Sequence, residues 1–198
     1  TAQNAQVLGV EFDEEMDPLM PLDRVSARLA TTIAAKPFII LTGPSGSGKS
    51  RSAIELACSF DYGPALPPEL QNSRVSPATC LAFVPVEADW TDCRDILGYR
   101  NPFGPKRILP EEGETHLTYE VTPALKLLLR AVHPDYRNAP HFLILDEMNR
   151  TDLSRMLGEC FSLLEDRNQT IELPAHNGEG ATFTLQIPDD LFVIGTMN

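Results

Sequence analysis

The apolar run Phe38-Ile39-Ile40-Leu41-Thr42 leads directly into Gly43-Pro44-Ser45-Gly46-Ser47-Gly48-Lys49-Ser50, and a helix-forming stretch follows from Lys49 to about Phe60. No other feature limits the fold as strongly. A short run without polar alternation fits a strand buried on both faces, the mark of a parallel sheet. The loop matches G-x-x-x-x-G-K-[ST]. Its glycines let successive backbone N–H groups turn inward around phosphate oxygens where a Cβ would clash, and the helix beginning at Lys49 adds the positive end of its dipole. In this pattern the lysine reaches the β- and γ-phosphates and the hydroxyl of Ser50 holds Mg²⁺. The nucleotide-binding stretch is accordingly Gly43, Pro44, Ser45, Gly46, Ser47, Gly48, Lys49, Ser50 and Arg51.

The remainder of the chain alternates helical and extended patterns. Val25, Leu29 and Ile33 recur at helical spacing before Pro37 stops the helix, and residues 61–78 read as a proline-rich loop. Leu81 to Val86 predicts a second core strand, and Arg107–Leu109 and His116–Tyr119 two short ones. Thr122-Pro123 predicts the cap and first turn of a helix reaching about Val132. Phe142 to Leu145 is a third core strand, ending at Asp146-Glu147. Leu153, Met156, Leu157, Cys160 and Leu164 form a helical stripe. Residues 171–187 alternate around Asn177-Gly178 as a hairpin does, and Leu191 to Thr196 is a fourth core strand. Helices alternating with apolar strands predict an α/β fold with a mainly parallel sheet flanked by helices.

Composition narrows the function. With 16 basic against 28 acidic residues the net charge is −12, poor material for displacing counterions from a duplex. Nucleic-acid contact would be local or belong to another domain. Cys58, Cys80, Cys93 and Cys160 form no CxxC pair, which reads as reduced thiols in a cytoplasmic protein. No apolar run approaches the ~20 residues of a membrane span, and residues 1–10 carry no signal peptide. His116, His133, His141 and His176 have no ligand spacing, so a metal site other than Mg²⁺ is not expected.

A phosphate loop alone binds; hydrolysis needs more. Asp146, at the end of the third core strand, supplies the carboxylate that holds Mg²⁺ with Ser50, and Glu147 beside it can polarise an attacking water as general base. Asn198, just past the fourth core strand, can contact the γ-phosphate or that water. Lys49, Glu147 and Asn198 are therefore the candidate catalytic residues, with Ser50 and Asp146 as metal ligands. These three elements in this order resemble the AAA+ ATPases. The segments Glu87-Ala88-Asp89-Trp90-Thr91-Asp92-Cys93-Arg94-Asp95-Ile96-Leu97-Gly98-Tyr99-Arg100-Asn101-Pro102, Leu145-Asp146-Glu147-Met148-Asn149-Arg150 and Val193-Ile194-Gly195-Thr196-Met197-Asn198 look like the McrB-type branch, which is related to the MoxR ATPases.

The resemblance covers about residues 24–198, a nucleotide-binding α/β subdomain after an acidic lead-in at 1–23. It implies a P-loop AAA+ fold with an extra β-hairpin before the sensor strand. It also implies ATP or GTP as substrate, a ring that is commonly hexameric, and an McrC-like nuclease subunit in modification-dependent restriction. DNA would be reached through other domains or the pore, which the hairpin and residues 103–120 would face. The fifth core strand, arginine finger and helical lid would lie beyond residue 198. A MoxR-like protein-remodelling ATPase and a nucleotide-gated assembly module without turnover are the alternatives. Trp90, Asp92, Arg94 and Asp95 read either as a subunit contact or as a structural knot, and Arg150 either as a neighbour's nucleotide contact or as a salt bridge at a helix start. Leu8-Gly9-Val10 is a candidate for packing against the base.

Overall fold

The computed structural model describes residues 24–60, 77–101, 107–108, 115–116, 118–136, 139–152, 167–174 and 182–198. Helix α1 (Arg24–Ala35) leads to strand β1 (Phe38–Thr42), the glycine loop and helix α2 (Lys49–Ser59). A short helix α3 (Pro77–Cys80) precedes β2 (Leu81–Pro85), and a one-turn helix α4 (Arg94–Leu97) follows it. Next come β3 (Tyr99–Asn101), β4 (Arg107–Ile108), β5 (Thr115–His116), β6 (Thr118–Glu120), helix α5 (Pro123–Ala131) and β7 (His141–Asp146). A 3₁₀ turn, Met148–Arg150, leads on towards β8 (Thr170–Pro174), β9 (Thr182–Gln186) and β10 (Leu191–Met197).

The central sheet is parallel with strand order β1-β10-β7-β2. Its register sets Phe38 beside Val193, Leu191 beside His141, and Leu81 beside Phe142. All four strands therefore open their carboxyl ends on the same edge. The α/β architecture with a parallel sheet is as expected. The last strand in sequence runs between the first and the seventh, so the segments ending at Thr42, Asp146 and Met197 become neighbours.

Side chains divide by alternation on the inner strands. Phe142, Ile144 and Ile194 enter a core with Ile33 of α1 and Ala53, Leu56 and Ala57 of α2. Leu143, Leu145 and Val193 enter the opposite core with Leu125 and Leu128 of α5. The β8–β9 pair, antiparallel with Thr170 opposite Gln186, adds Leu173 and Leu185 to that second core. Burial on both faces is the reason the inner strands lack polar alternation.

Two expectations change at the sheet's edges. Phe38–Thr42 reads as a strand buried on both faces, yet Ile40 is 41% exposed, and Phe83 of β2 is 40% exposed. Both strands are outermost among the described residues, so each is covered only in part. Strand β3 was not expected; it pairs antiparallel with β6 because Gly98 turns the chain back after α4. The acidic lead-in, Leu8-Gly9-Val10, the stripe from Leu153 to Leu164 and the Asn177-Gly178 turn lie outside the described residues. Among the described residues no helix is long and apolar enough to cross a membrane.

Candidate functional site

The glycine loop leaves β1 and enters α2 at the carboxyl edge of the sheet. Gly46 and Gly48 take φ of 75° and 85°, the left-handed region that residues with a Cβ avoid. A Cβ at either position meets nothing within 4 Å, so within the protein itself the requirement is conformational rather than steric. Gly48 occupies the position before α2, and the Ser52 amide donates back to its carbonyl at 2.8 Å. The first-turn N–H groups of such a helix lack intrahelical acceptors and face the loop.

Two side chains of this turn cross to other strands. Lys49 Nζ donates to the carbonyls of Gly43 and Pro44, both at 2.8 Å, and to Asn198 Oδ1 at 2.9 Å. Ser50 Oγ donates to Asp146 Oδ1 at 2.5 Å. The residues marked in the sequence at 49–50, 146–147 and 198 thus meet, across 149 residues in the Lys49–Asn198 contact. Arg51 does not join them through its side chain, which is exposed and donates to Glu55 at 2.6 Å along α2. That bond holds the guanidinium pKa above its ordinary value.

Glu147 is the one non-glycine residue with positive φ among the described residues, at φ 55° and ψ 46°. A left-handed residue bearing a Cβ costs about 1–2 kcal/mol and persists only where its surroundings hold it. Here the Glu147 amide donates to Thr196 Oγ1 at 2.9 Å, and its carbonyl accepts from Arg150 N at 2.9 Å. The Glu147 carboxylate pairs with Arg150 through Oε2 and meets Asn198 Nδ2 at 3.5 Å through Oε1. Because a lysine can only donate, Asn198 turns its oxygen to Lys49 and its NH₂ to Glu147. Arg150 forms a salt bridge with Glu147 in the isolated chain, and a pair this exposed adds little stability.

Sequence reasoning passed over two residues. Asn149 Oδ1 accepts from Asn198 N at 3.3 Å, and Thr196 bonds both members of the acidic pair. A signal for Thr196 was present: it is the polar residue inside an apolar strand, and buried polar groups have partners. Hydrogen bonds fasten the loop after β2. Asp92 takes Arg94 N at 2.8 Å and Arg94 Nε at 2.8 Å, lowering its carboxyl pKa, and Thr151 Oγ1 donates to Trp90 O at 2.6 Å. Asp95 lies above the usual carboxylate range because of burial and then of Asp92 and Asp89.

The oxygen set of Ser50 and Asp146 fits Mg²⁺, a hard cation that takes one or two protein oxygens and fills its remaining positions with water and phosphate. Among the described residues no cluster of three His, Cys, Asp or Glu could hold a metal unaided. Compared with known proteins, the chain matches no family model and no curated protein.

Proposed function

We infer that this chain is the nucleotide-binding α/β subdomain of a Mg²⁺-dependent AAA+ nucleoside triphosphatase, McrB-like, acting on ATP or GTP. One observation carries the reading. Lys49, Ser50, Asp146, Glu147 and Asn198 converge at the carboxyl ends of adjacent parallel strands, where open α/β sheets bind ligands. The loop amides and Lys49 hold the β- and γ-phosphates. Ser50 and Asp146 hold Mg²⁺, which when bound neutralises charge on the phosphate oxygens. Asn198 and Glu147 aim a water at the γ-phosphorus. As the water oxygen bonds to phosphorus and the bond to the bridging oxygen breaks, Glu147 accepts the proton, leaving nucleoside diphosphate and phosphate.

The finer reading rests on the three McrB-type segments. It is a ring of copies of this chain, commonly hexameric, working with an McrC-like nuclease in DNA restriction. Phosphate release by the full-length protein with ATP and with GTP tests the activity and settles the base. Glu147→Gln is expected to keep nucleotide affinity and lose about 10²–10⁴-fold in kcat, the usual contribution of a general base. Lys49→Ala should abolish binding. Unchanged turnover in Glu147→Gln would sink the hydrolytic assignment and leave a nucleotide-binding module.

A further inference from the structure

Thr196 stands in β10 between the glycine-loop strand and the acidic strand, and it is 1% exposed. Its hydroxyl donates to Asp146 Oδ1 at 2.7 Å and accepts from Glu147 N at 2.9 Å. The direction of these bonds is forced. An amide can only donate, so the hydroxyl oxygen must accept from Glu147, and its single proton goes to the Asp146 carboxylate. That carboxylate oxygen also receives the Ser50 hydroxyl. One side chain therefore joins the residue that would hold the metal to the backbone of the residue that would activate water.

The same strand supports the turn from below. Met148 is fully buried, and a Cβ on Gly195 would lie 2.0 Å from its sulfur. The bare backbone of Gly195 leaves the space that Met148 fills, and Thr196 ties down the residues just before it. Between them they hold Glu147 in its left-handed conformation, which nothing in its own chemistry favours.

We propose that Thr196 is a positioning residue for hydrolysis, fixing the Asp146 carboxylate and the Glu147 backbone together through one hydroxyl. The proposal rests on the hydrolytic reading above. Valine keeps the shape of threonine but leaves the Glu147 amide without its acceptor and Asp146 with one charge-assisted hydroxyl bond, from Ser50, in place of two. The orientation of both carboxylates then loosens while the glycine loop keeps its own contacts.

The test is steady-state hydrolysis by the full-length protein and its Thr196→Val, Thr196→Ala and Thr196→Ser variants, with thermal melting of each. Variants lacking the hydroxyl but melting cooperatively are expected to lose roughly 10- to 100-fold in kcat with KM within about threefold, and Thr196→Ser to restore most of the rate. A hydroxyl-free variant within twofold of wild-type kcat overturns the proposal. So does a serine variant as impaired as valine, which would assign the effect to the methyl group. A rise in KM at unchanged kcat, or loss of cooperative melting in both hydroxyl-free variants, overturns it in favour of a binding or folding role. A wild-type protein that turns over neither ATP nor GTP overturns the hydrolytic reading itself, and this proposal falls with it.

Discussion

His141 opens β7 with no solvent exposure, and its Nδ1 lies 2.8 Å from the Ala139 carbonyl. A carbonyl only accepts, so Nδ1 carries the proton of the neutral ring and the buried Nε2 has no partner. A second proton would create a buried cation with an unsatisfied N–H. Burial accordingly pushes its pKa down to about 4. A histidine with a depressed folded pKa contributes stability in full above its unfolded value, about 6.5, and loses it as pH falls toward the folded value. Melting temperature should fall between about pH 6.5 and 4, with His141 accounting for about 3 kcal/mol at most. Carboxyls raised by burial, such as Asp190, act in the opposite sense. The informative measurement is thus the difference between wild type and His141→Leu: if the two profiles run parallel across this range, the assignment fails. None of this was legible in the sequence, where His141 was one of four scattered histidines. Neither its burial nor its partner follows from its neighbours in the chain.

Among the elements, α5 shows how far local chemistry reaches. Thr122-Pro123 marks its start in the sequence, and the Thr122 hydroxyl accepts from Leu125 N at 3.1 Å as a helix cap does. The same hydroxyl donates to the Ile96 carbonyl of α4, a contact with no local signature. Thr122→Ala should cost about 1–2 kcal/mol, the upper part of the range for a lost cap, because a second bond goes with it. Chemical denaturation measures this, and a loss under about 0.5 kcal/mol would mean that the hydroxyl contributes little. Strand burial shows the opposite case. Phe38–Thr42 and Phe142–Leu145 are equally apolar runs, yet among the described residues only the second has a strand on each side. A short apolar run encodes a tendency to be covered; how many faces are covered depends on which strands arrive beside it.

At the scale of the whole molecule, the sheet order turns three distant segments into one site. β10 runs between β1 and β7, and its end brings Thr196 to Asp146 and Asn198 to Lys49. Beneath it, Phe142 stacks on Phe192 with ring centroids 5.3 Å apart and tilts against Phe60 at 4.9 Å, which closes α2 onto the sheet. Phe142→Ala should therefore cost about 3–5 kcal/mol, a large part of a domain's stability. Urea unfolding should show a lower midpoint with an unchanged slope. A changed slope or a second transition would mean that the two cores unfold separately. By itself the sequence determined the loop conformation, the types of most strands and helices and the pairing of a carboxylate turn with a phosphate loop. The first two arise from residues within a few positions of one another, and the pairing was legible because each partner carries its own local motif. The tertiary structure alone decided that β1 and β2 are outermost among the described residues, that Arg51 turns away to Glu55, and that Thr196 joins Asp146 to Glu147. Those outcomes depend on the lateral order of strands, and hydrogen bonding between parallel strands carries no mark of which neighbour will come.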